Sequence, residues 1–430
     1  MNYIGLTIGP IYKTLQNAKK PKEAWSASYI FSYIMREIIK EFKTRDFVVP
    51  YIKDTTIFDD NLDIGLFHDR FIFKSQDGDL ELLEESIAKV LKVLSIDLEI
   101  DYKFLQNYFQ INYLEKNLKD GENPILSLMP YLDTKELFYN ISQYENNLLQ
   151  KTLKDKENFF VKNKKIVDDL KKLTYKKYFA TVHVDADNMS NVIEDINALE
   201  NVSKHLFDYC INSAKLIKEF GGQTIFAGGD DLLFFAPVMS GDKTIFNLCD
   251  AISKDFDAKF HKKATLSFGV NITYIKHPLY EALQSSRELL FHKAKSEQKN
   301  NIAFKVSKHS GQTFETIIHK GHEDIYKIFL AISSSIEGGD GVDNFLHSLH
   351  HKIETHRVML NSISSSKEKI ANFFVNYFNK DEHKQYKEFF EQLTTFIYAV
   401  YANSDIKDDE KLNIIYSTLR FVKFVKGDKQ

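Results

Sequence analysis

The stretch that most restricts the fold runs from Gly222 to Val238 and reads Gly-Gln-Thr-Ile-Phe-Ala-Gly-Gly-Asp-Asp-Leu-Leu-Phe-Phe-Ala-Pro-Val. Two apolar runs flank Gly228-Gly229-Asp230-Asp231, and short runs joined by residues that tolerate positive φ form a β-hairpin. The turn sets two adjacent carboxylates at the strand ends. Carboxylates so placed suit a hard divalent ion, Mg²⁺ or Mn²⁺, which takes oxygen ligands and leaves positions open for phosphates. Gly228 and Gly229 let a nucleotide come close to the backbone. A plain solvated turn is the rival reading of the tetrapeptide alone. Gly338-Gly339-Asp340-Gly341 shows the contrast: it follows Ser333-Ser334-Ser335, has no strand before it and reads as an ordinary loop.

A second segment strengthens the first. Tyr178 to Val184 is another strand, and it runs into Asp185-Ala186-Asp187-Asn188-Met189-Ser190. Asp185 and Asp187 are two residues apart and share one side of an extended chain. A strand ending in acids, then a helix, then a hairpin with two more acids is the arrangement of a polymerase or cyclase palm. Carboxylates on neighbouring strands of such a palm can hold two metals about 3.5–4 Å apart.

Composition narrows the partners. The chain has 430 residues, enough for two or three domains. With 57 Lys+Arg against 60 Asp+Glu and a net charge of −3, there is no electrostatic case for autonomous nucleic-acid binding. RNA contacts would be local or supplied by partner subunits. Cys210 and Cys249 are the only cysteines, too few for a four-cysteine zinc site, and Cys210 falls on an apolar stripe with Leu206, Ala214 and Ile217. The N-terminus lacks a signal pattern, and no apolar run approaches the about 20 residues of a membrane span. The expectation is a soluble, cytoplasmic protein without membrane contact.

Read in order, the chain predicts an α+β fold: two tandem ferredoxin-like palm (βαββαβ) domains followed by a C-terminal helical bundle. The first palm with a helical insert spans 1–165. It comprises strand Tyr3–Ile8, a helix near Ile11 interrupted at Pro21, a helix from Ala24 to Phe42, strands in Phe47–Ile52 and Asp63–Phe73, helix Leu82–Leu94 and strand character over Phe104–Tyr113. Leu126–Leu153 is mostly helical. Lys154–Lys177 is dense in lysine and marks the boundary, either as a solvated face or as an RNA contact. The second palm spans 166–315, with helix Val202–Phe220, the acidic hairpin, helix Thr244–Phe260, strand Ala264–Tyr274, helix Leu279–Ala294 and strand Asn301–Val306. Residues 316–430 carry wide apolar helical stripes at Phe373–Phe378, Phe389–Val400 and Leu412–Val422 and no chemical motif.

These segments together resemble a known family. Ile8-Gly9-Pro10-Ile11 with Ala24-Trp25-Ser26-Ala27-Ser28-Tyr29-Ile30-Phe31-Ser32-Tyr33 looks like the opening of the first palm of the large subunit of type III CRISPR effector complexes, in its Cmr (type III-B) branch. Val184-Asp185-Ala186-Asp187-Asn188-Met189, Gly228-Gly229-Asp230-Asp231-Leu232-Leu233, and Lys293-Ala294-Lys295 followed by Lys299-Asn300 and Val306-Ser307-Lys308-His309-Ser310-Gly311 look like landmarks of its second palm. The resemblance covers most of residues 1–315. It implies an enzyme that, with CRISPR RNA and target RNA held by other Cmr complex subunits, polymerises ATP into cyclic oligoadenylates in antiviral defence. A subset of the family instead joins ATP to S-adenosylmethionine. Longer members carry an N-terminal HD nuclease domain. Here the first-palm strand begins at Tyr3 and no histidine precedes His68-Asp69, so HD nuclease activity is not expected.

The expected site follows. Asp185 and Asp231 share one cation beside the triphosphate, and Asp230 completes a second site or helps deprotonate the attacking hydroxyl. Asp187 is a further metal ligand or orients the turn. The amides of Asn188, Met189 and Ser190 lie at a strand-to-helix turn that can cradle phosphates. Lys293, Lys295 and Lys299 either neutralise phosphate charge or form a solvated cluster. Ser267 and Gly269 either leave room for the base or serve packing. Trp25 and Tyr29 line an inter-palm pocket or are core. Two other classes compete. A diguanylate-cyclase-like enzyme shares the palm, but usually has Gly-Gly-Asp-Glu-Phe at the turn and works as a dimer of single palms. A catalytically idle scaffold subunit would not need complete acid clusters.

Overall fold

The computed structural model describes residues 1–58, 63–137, 148, 165–296, 298–337, 341–378 and 383–427. The loop expected at 338–340, the distal part of the helix expected over 126–153 and the lysine-rich stretch through 164 lie outside them.

The first palm is a four-stranded antiparallel sheet of β1 (Asn2–Gly9), β2 (Phe47–Val49), β3 (Arg70–Lys74) and β4 (Gln110–Asn117), in the order β2-β3-β1-β4. Helices α1 (Pro21–Glu41) and α2 (Asp79–Asp97) make the ferredoxin-like crossovers. Pro21 starts α1 where a missing N–H costs nothing. Trp25 and Tyr29 stack at 4.5 Å, and the Trp25 indole donates to the Asp63 carbonyl at 2.9 Å. At 0% and 6% exposure both belong to the core. The strand expected over Phe104–Tyr113 is in fact two elements. Asp101 caps a short helix, Tyr102–Tyr108, by accepting from the Phe104 amide at 2.9 Å, and extended chain begins only at Gln110. Helix α3 (Pro124–Leu137) then covers β1 and β4.

The second palm repeats the plan. Strands β5 (Tyr178–Asp187), β6 (Gln223–Gly228), β7 (Asp231–Pro237) and β8 (Thr265–Tyr274) alternate with α4 (Leu199–Glu219) and α5 (Ile245–Phe260). Thr244 and Asn247 form a capping box that starts α5. Helix α6 (Leu279–Glu288) runs into a π-helical turn, Leu289–Ala294, and returns the chain to β9 (Asn301–Ser307), parallel to β8. The last strand, β10 (Thr313–His319), completes the order β10-β9-β8-β5-β7-β6.

The helices that follow include α7 (Glu323–Ile332), α8 (Val342–Thr355), α9 (Lys367–Tyr377), α10 (Lys387–Ala402) and α11 (Asp408–Lys426), with a shorter one at Arg357–Ile363 between α8 and α9. Their core is aromatic: Phe345 stacks on Tyr386 at 3.8 Å, and Phe374 meets Phe390 at 5.3 Å. Helix α11 turns back onto the second palm. Phe421 lies 4.7 Å from Phe246, and Phe424 meets Tyr178 edge-on at 4.8 Å.

Candidate active site

The acidic hairpin forms as its sequence demands. Gly228 pairs with Asp231, and Gly229 takes φ 64°, which a glycine adopts without strain. Cys210 of α4 donates its thiol to the Gly229 carbonyl at 3.4 Å, fastening the turn to the helix beneath. A side chain at Gly228 has no room. A Cβ there would come within 2.9 Å of His68 Cβ and 3.1 Å of His68 Cα. The start of β3 in the first palm therefore rests on the turn of the second.

Strand register brings the two acidic stretches together. Val184 pairs with Leu232 across β5 and β7, so the next step sets Asp185 level with Asp231. The Lys295 ammonium pairs with the Asp185 carboxylate and donates to the Ala186 carbonyl at 2.8 Å. Burial raises the Asp185 carboxyl above its ordinary value despite Lys295. Enclosure between the palms, then Asp185, pushes Asp230 up to about 6. Asp231 is raised as well, through enclosure first and then the charges of Asp230 and Asp185. Its side chain still reaches solvent, so the direction reflects the surrounding chain rather than complete removal from water. The carboxylates hold each other's ionised forms at a disadvantage, a condition a cation would relieve.

Asp187 behaves differently from Asp185. It is 1% exposed, and its Oδ2 accepts from Ser267 Oγ at 2.7 Å, Thr265 Oγ1 at 3.2 Å and the Asn300 amide at 2.9 Å. These bonds tie the end of β5 to β8 and to the loop before β9. Ser267 is wholly buried in this network. Gly269 admits helix instead: a Cβ there would strike the Ser286 carbonyl oxygen and lie 2.5 Å from the Leu290 nitrogen.

Asn188, at φ 59°, turns the chain into a single helical turn, Ser190–Ile193, preceded by Met189. Lys299 donates to Asn188 Oδ1 at 3.1 Å, so Lys295 and Lys299 both stand beside the acidic strand end. Lys293 does not join them; its ammonium pairs with Glu315 of β10. The π-helical turn explains the split, because residues two apart on a helix leave on different sides.

Among the described residues no three acidic, histidine or cysteine side chains stand ready to hold a metal ion together. The donor set nevertheless suits a hard divalent ion. Its donors are carboxylate oxygens, they repel one another, and Asp187 Oδ1 is a buried acceptor without a hydrogen-bond partner. The sequence reading missed the first-palm contact. His68 lies against both turn glycines, with its ring 3.9 Å from a Cβ placed on Gly229. The one signal was the His68-Asp69 dipeptide at the start of β3.

Two palms in tandem, with an acidic hairpin in the second turned toward the first, define a tandem-palm protein. Residues 178–303 match the family model for the second palm domain of Cas10/Cmr2, and residues 3–99 match that for the N-terminal part of the CRISPR-associated protein Cmr2. The chain belongs to the Cas10/Cmr2 family. It is 28% identical over 267 residues to the CRISPR system Cmr subunit Cmr2 of Pyrococcus furiosus, an alignment covering 52% of this chain and 30% of that protein. The fold is similar to Csm1 of T. onnurineus (TM-score 0.56, 13% identity, 99% of this chain and 69% of that one). It is also similar to a Csm1–Csm4 cassette in complex with one ATP (0.55, 13%, 99% and 70%) and to one in complex with cA4 (0.54, 12%, 99% and 69%). No helix among the described residues is long and apolar enough to cross a membrane.

Proposed function

We propose that the chain is the RNA-activated nucleotidyltransferase of a cytoplasmic type III-B effector complex, making an adenylate second messenger from ATP. The observation that carries this reading is the register that sets Asp185 beside the Asp230–Asp231 turn at the seam between the palms. Family membership supports it, as does the fold shared with Csm1 chains solved with one ATP and with cA4. In this reading the chain divides into a first palm (1–165), a second palm (166–315) and a helical domain (316–430). Other Cmr subunits hold the CRISPR RNA and target RNA.

Asp185 and Asp231 would hold a divalent cation, Mg²⁺ or Mn²⁺, beside the triphosphate. Bound there, the ion would supply charge neutralisation and a more acidic attacking hydroxyl. Asp230 shares the cation set or accepts the hydroxyl proton. Asp187 fixes the end of β5 through Ser267, Thr265 and Asn300. Lys295 and Lys299 meet phosphate charge. Gly228 admits His68 of the first palm and Gly229 supplies the positive φ of the turn, while the amides of Asn188, Met189 and Ser190 would meet phosphate at the end of β5. The acceptor attacks the α-phosphate of ATP and pyrophosphate leaves; the acceptor is the hydroxyl of another ATP, giving cyclic oligoadenylate once the chain closes, or S-adenosylmethionine, giving a conjugate.

The assembled complex is incubated with target RNA and labelled ATP or GTP, with and without S-adenosylmethionine. An ATP-derived product supports the proposal, a GTP-derived one points to a cyclic dinucleotide synthase, and no product under any condition refutes enzymatic action. Asp230→Ala with Asp231→Ala is expected to lower synthesis at least about a hundredfold with assembly intact. Retained synthesis refutes the assignment of the acids.

A further inference from the structure

Helix α6 and its π-helical turn carry a ladder of cations and rings beside the acidic strand end. The inner side of this helix is fixed. His183 Nδ1 of β5 and Ser286 Oγ lie 2.7 Å apart, and the backbone of Ser286 and Leu290 lies directly on Gly269 of β8. Arg287, Phe291 and Lys295 follow at four-residue steps, a spacing that makes neighbours of side chains on one helix face. The Arg287 guanidinium lies 5.1 Å from the Phe291 ring centre, and the Lys295 ammonium 6.0 Å from it. Arg287 also lies 4.2 Å from the ring centre of Tyr12, in the first palm's short helix Ile11–Leu15. The ladder thus begins at the first palm and ends at Lys295, which pairs with Asp185.

Two features set this ladder apart from ordinary packing. Phe291 is 41% exposed, although burial favours a phenyl ring, so the rest of the chain leaves part of the ring open. Among the described residues Arg287 makes no ion pair, and its charge is met by ring faces. An open ring between two cations suits a planar group that carries negative charge at one end. A nucleotide has that form. Its base stacks on aromatic rings and on guanidinium planes, and its phosphates meet an ammonium. An apolar side chain of a protein partner would make no use of the cations, and a free phosphate would make no use of the ring.

We propose that Phe291 is the stacking seat for the purine base of the nucleotide whose phosphates lie at Lys295, with Arg287 flanking the stack beside Tyr12 of the first palm. Stacking tolerates every base, so Phe291 supplies affinity, and the choice between adenine and guanine falls to groups that reach the base edge. This inference rests on the proposed function, since it places the base of the same ATP.

The assembled complex with target RNA is titrated by calorimetry, in Mg²⁺, with α,β-methylene-ATP, which cannot release pyrophosphate, and separately with inorganic tripolyphosphate. Parent, Phe291→Ala and Phe291→Tyr are compared. The expected result is a loss of about 5–100-fold in analogue affinity for Phe291→Ala, the range of one stacked base, with parent-like affinity for Phe291→Tyr and unchanged tripolyphosphate affinity in both. Thermal melting checks the fold. If Phe291→Ala does not assemble, Phe291→Leu is measured in its place, and failure of both assigns Phe291 to the fold and overturns the inference. Parent-like analogue affinity in Phe291→Ala overturns the inference and leaves the proposed function standing. Equal loss of analogue and tripolyphosphate does the same, because the effect then runs through the phosphates. A parent that holds the analogue no more tightly than tripolyphosphate has no base seat and also overturns the inference. A parent complex that binds neither ligand removes the proposed function with it.

Discussion

Asp185 and Asp187 leave β5 on the same side but meet different surroundings. Asp185 has Lys295 and the hairpin; Asp187 is sealed and accepts from Ser267, Thr265 and Asn300. Removing a buried acceptor strands its donors, at about 1–3 kcal/mol each. Asp187→Ala is therefore expected to lose about 3 kcal/mol of stability, and Asp231→Ala less than about 1 kcal/mol, with urea midpoints moving at unchanged slope. Equal losses would mean that Asp187 is no more structural than Asp231. Lys320 is a second buried group. It donates to Ser253 at 2.6 Å and lies over the Phe268 ring at 5.0 Å. Burial pushes it down from 10.5 to about 8, although Asp257, Asp187, Cys249 and Asp250 favour its charge. Below pH 8 the ammonium is charged in both states and its burial cost is fully present. Between about 8 and 10.5 the unfolded chain holds a proton that the folded chain has released, so stability rises with pH. Compared with Lys320→Met, the parent is expected to gain about 2–3 kcal/mol from pH 7 to pH 10 in urea denaturation. A pH-independent difference would show that the buried ammonium is not penalised.

At the scale of elements, legibility followed locality. The hairpin and β5 were readable because each carries its pattern within a few residues: apolar runs, turn glycines, acids at the ends. The helix Tyr102–Tyr108 was not, because one cap, Asp101, overrides a run with strand-like composition. The lysines divided for a similar reason. A regular helix was expected through Ala294, and the π-helical turn sends Lys293 to Glu315 and Lys295 to Asp185. That turn also explains Gly269. The backbone of Ser286 and Leu290 lies directly on β8 there, so a methyl group has nowhere to go. Gly269→Ala is expected to cost about 3 kcal/mol, at the upper end of overpacking. It should also loosen the Lys295–Asp185 pairing, because the turn that carries Lys295 must lift from the sheet. Thermal denaturation with Mn²⁺ titration checks both, and an unchanged melting point would show that the turn adapts without cost. The contact of His68 with the turn could not be read from the His68-Asp69 dipeptide alone, since nothing local links residue 68 to residue 228.

For the whole molecule, tandem palms and a helical tail were legible from the order of elements, but the tail's attachment was not. Helix α11 lies on the second palm's sheet. Asn413 and Ser417 donate to the Glu315 carbonyl of β10 at 3.0 and 3.2 Å, and Tyr175 reaches back to the Val425 carbonyl at 3.1 Å. Phe421 fills the space between Phe246 of α5 and Phe304 of β9, at 4.7 and 6.0 Å. An aromatic ring so placed contributes about 3–5 kcal/mol when its removal leaves a cavity. Phe421→Ala is therefore expected to lower the stability of the palm and the tail together. Amide exchange should quicken in β9 and β10 as well as in α11, because the sheet's outer strands lose the layer that keeps water from them. Faster exchange confined to α11 would mean that the tail unfolds by itself and that the second palm supports its own core. The expected outcome instead makes the tail a structural layer of the palm, so that displacement of α11 would reach the acidic turn through β9 and β8, whose residues Asn301 and Ser267 bond to the same network as Asp187.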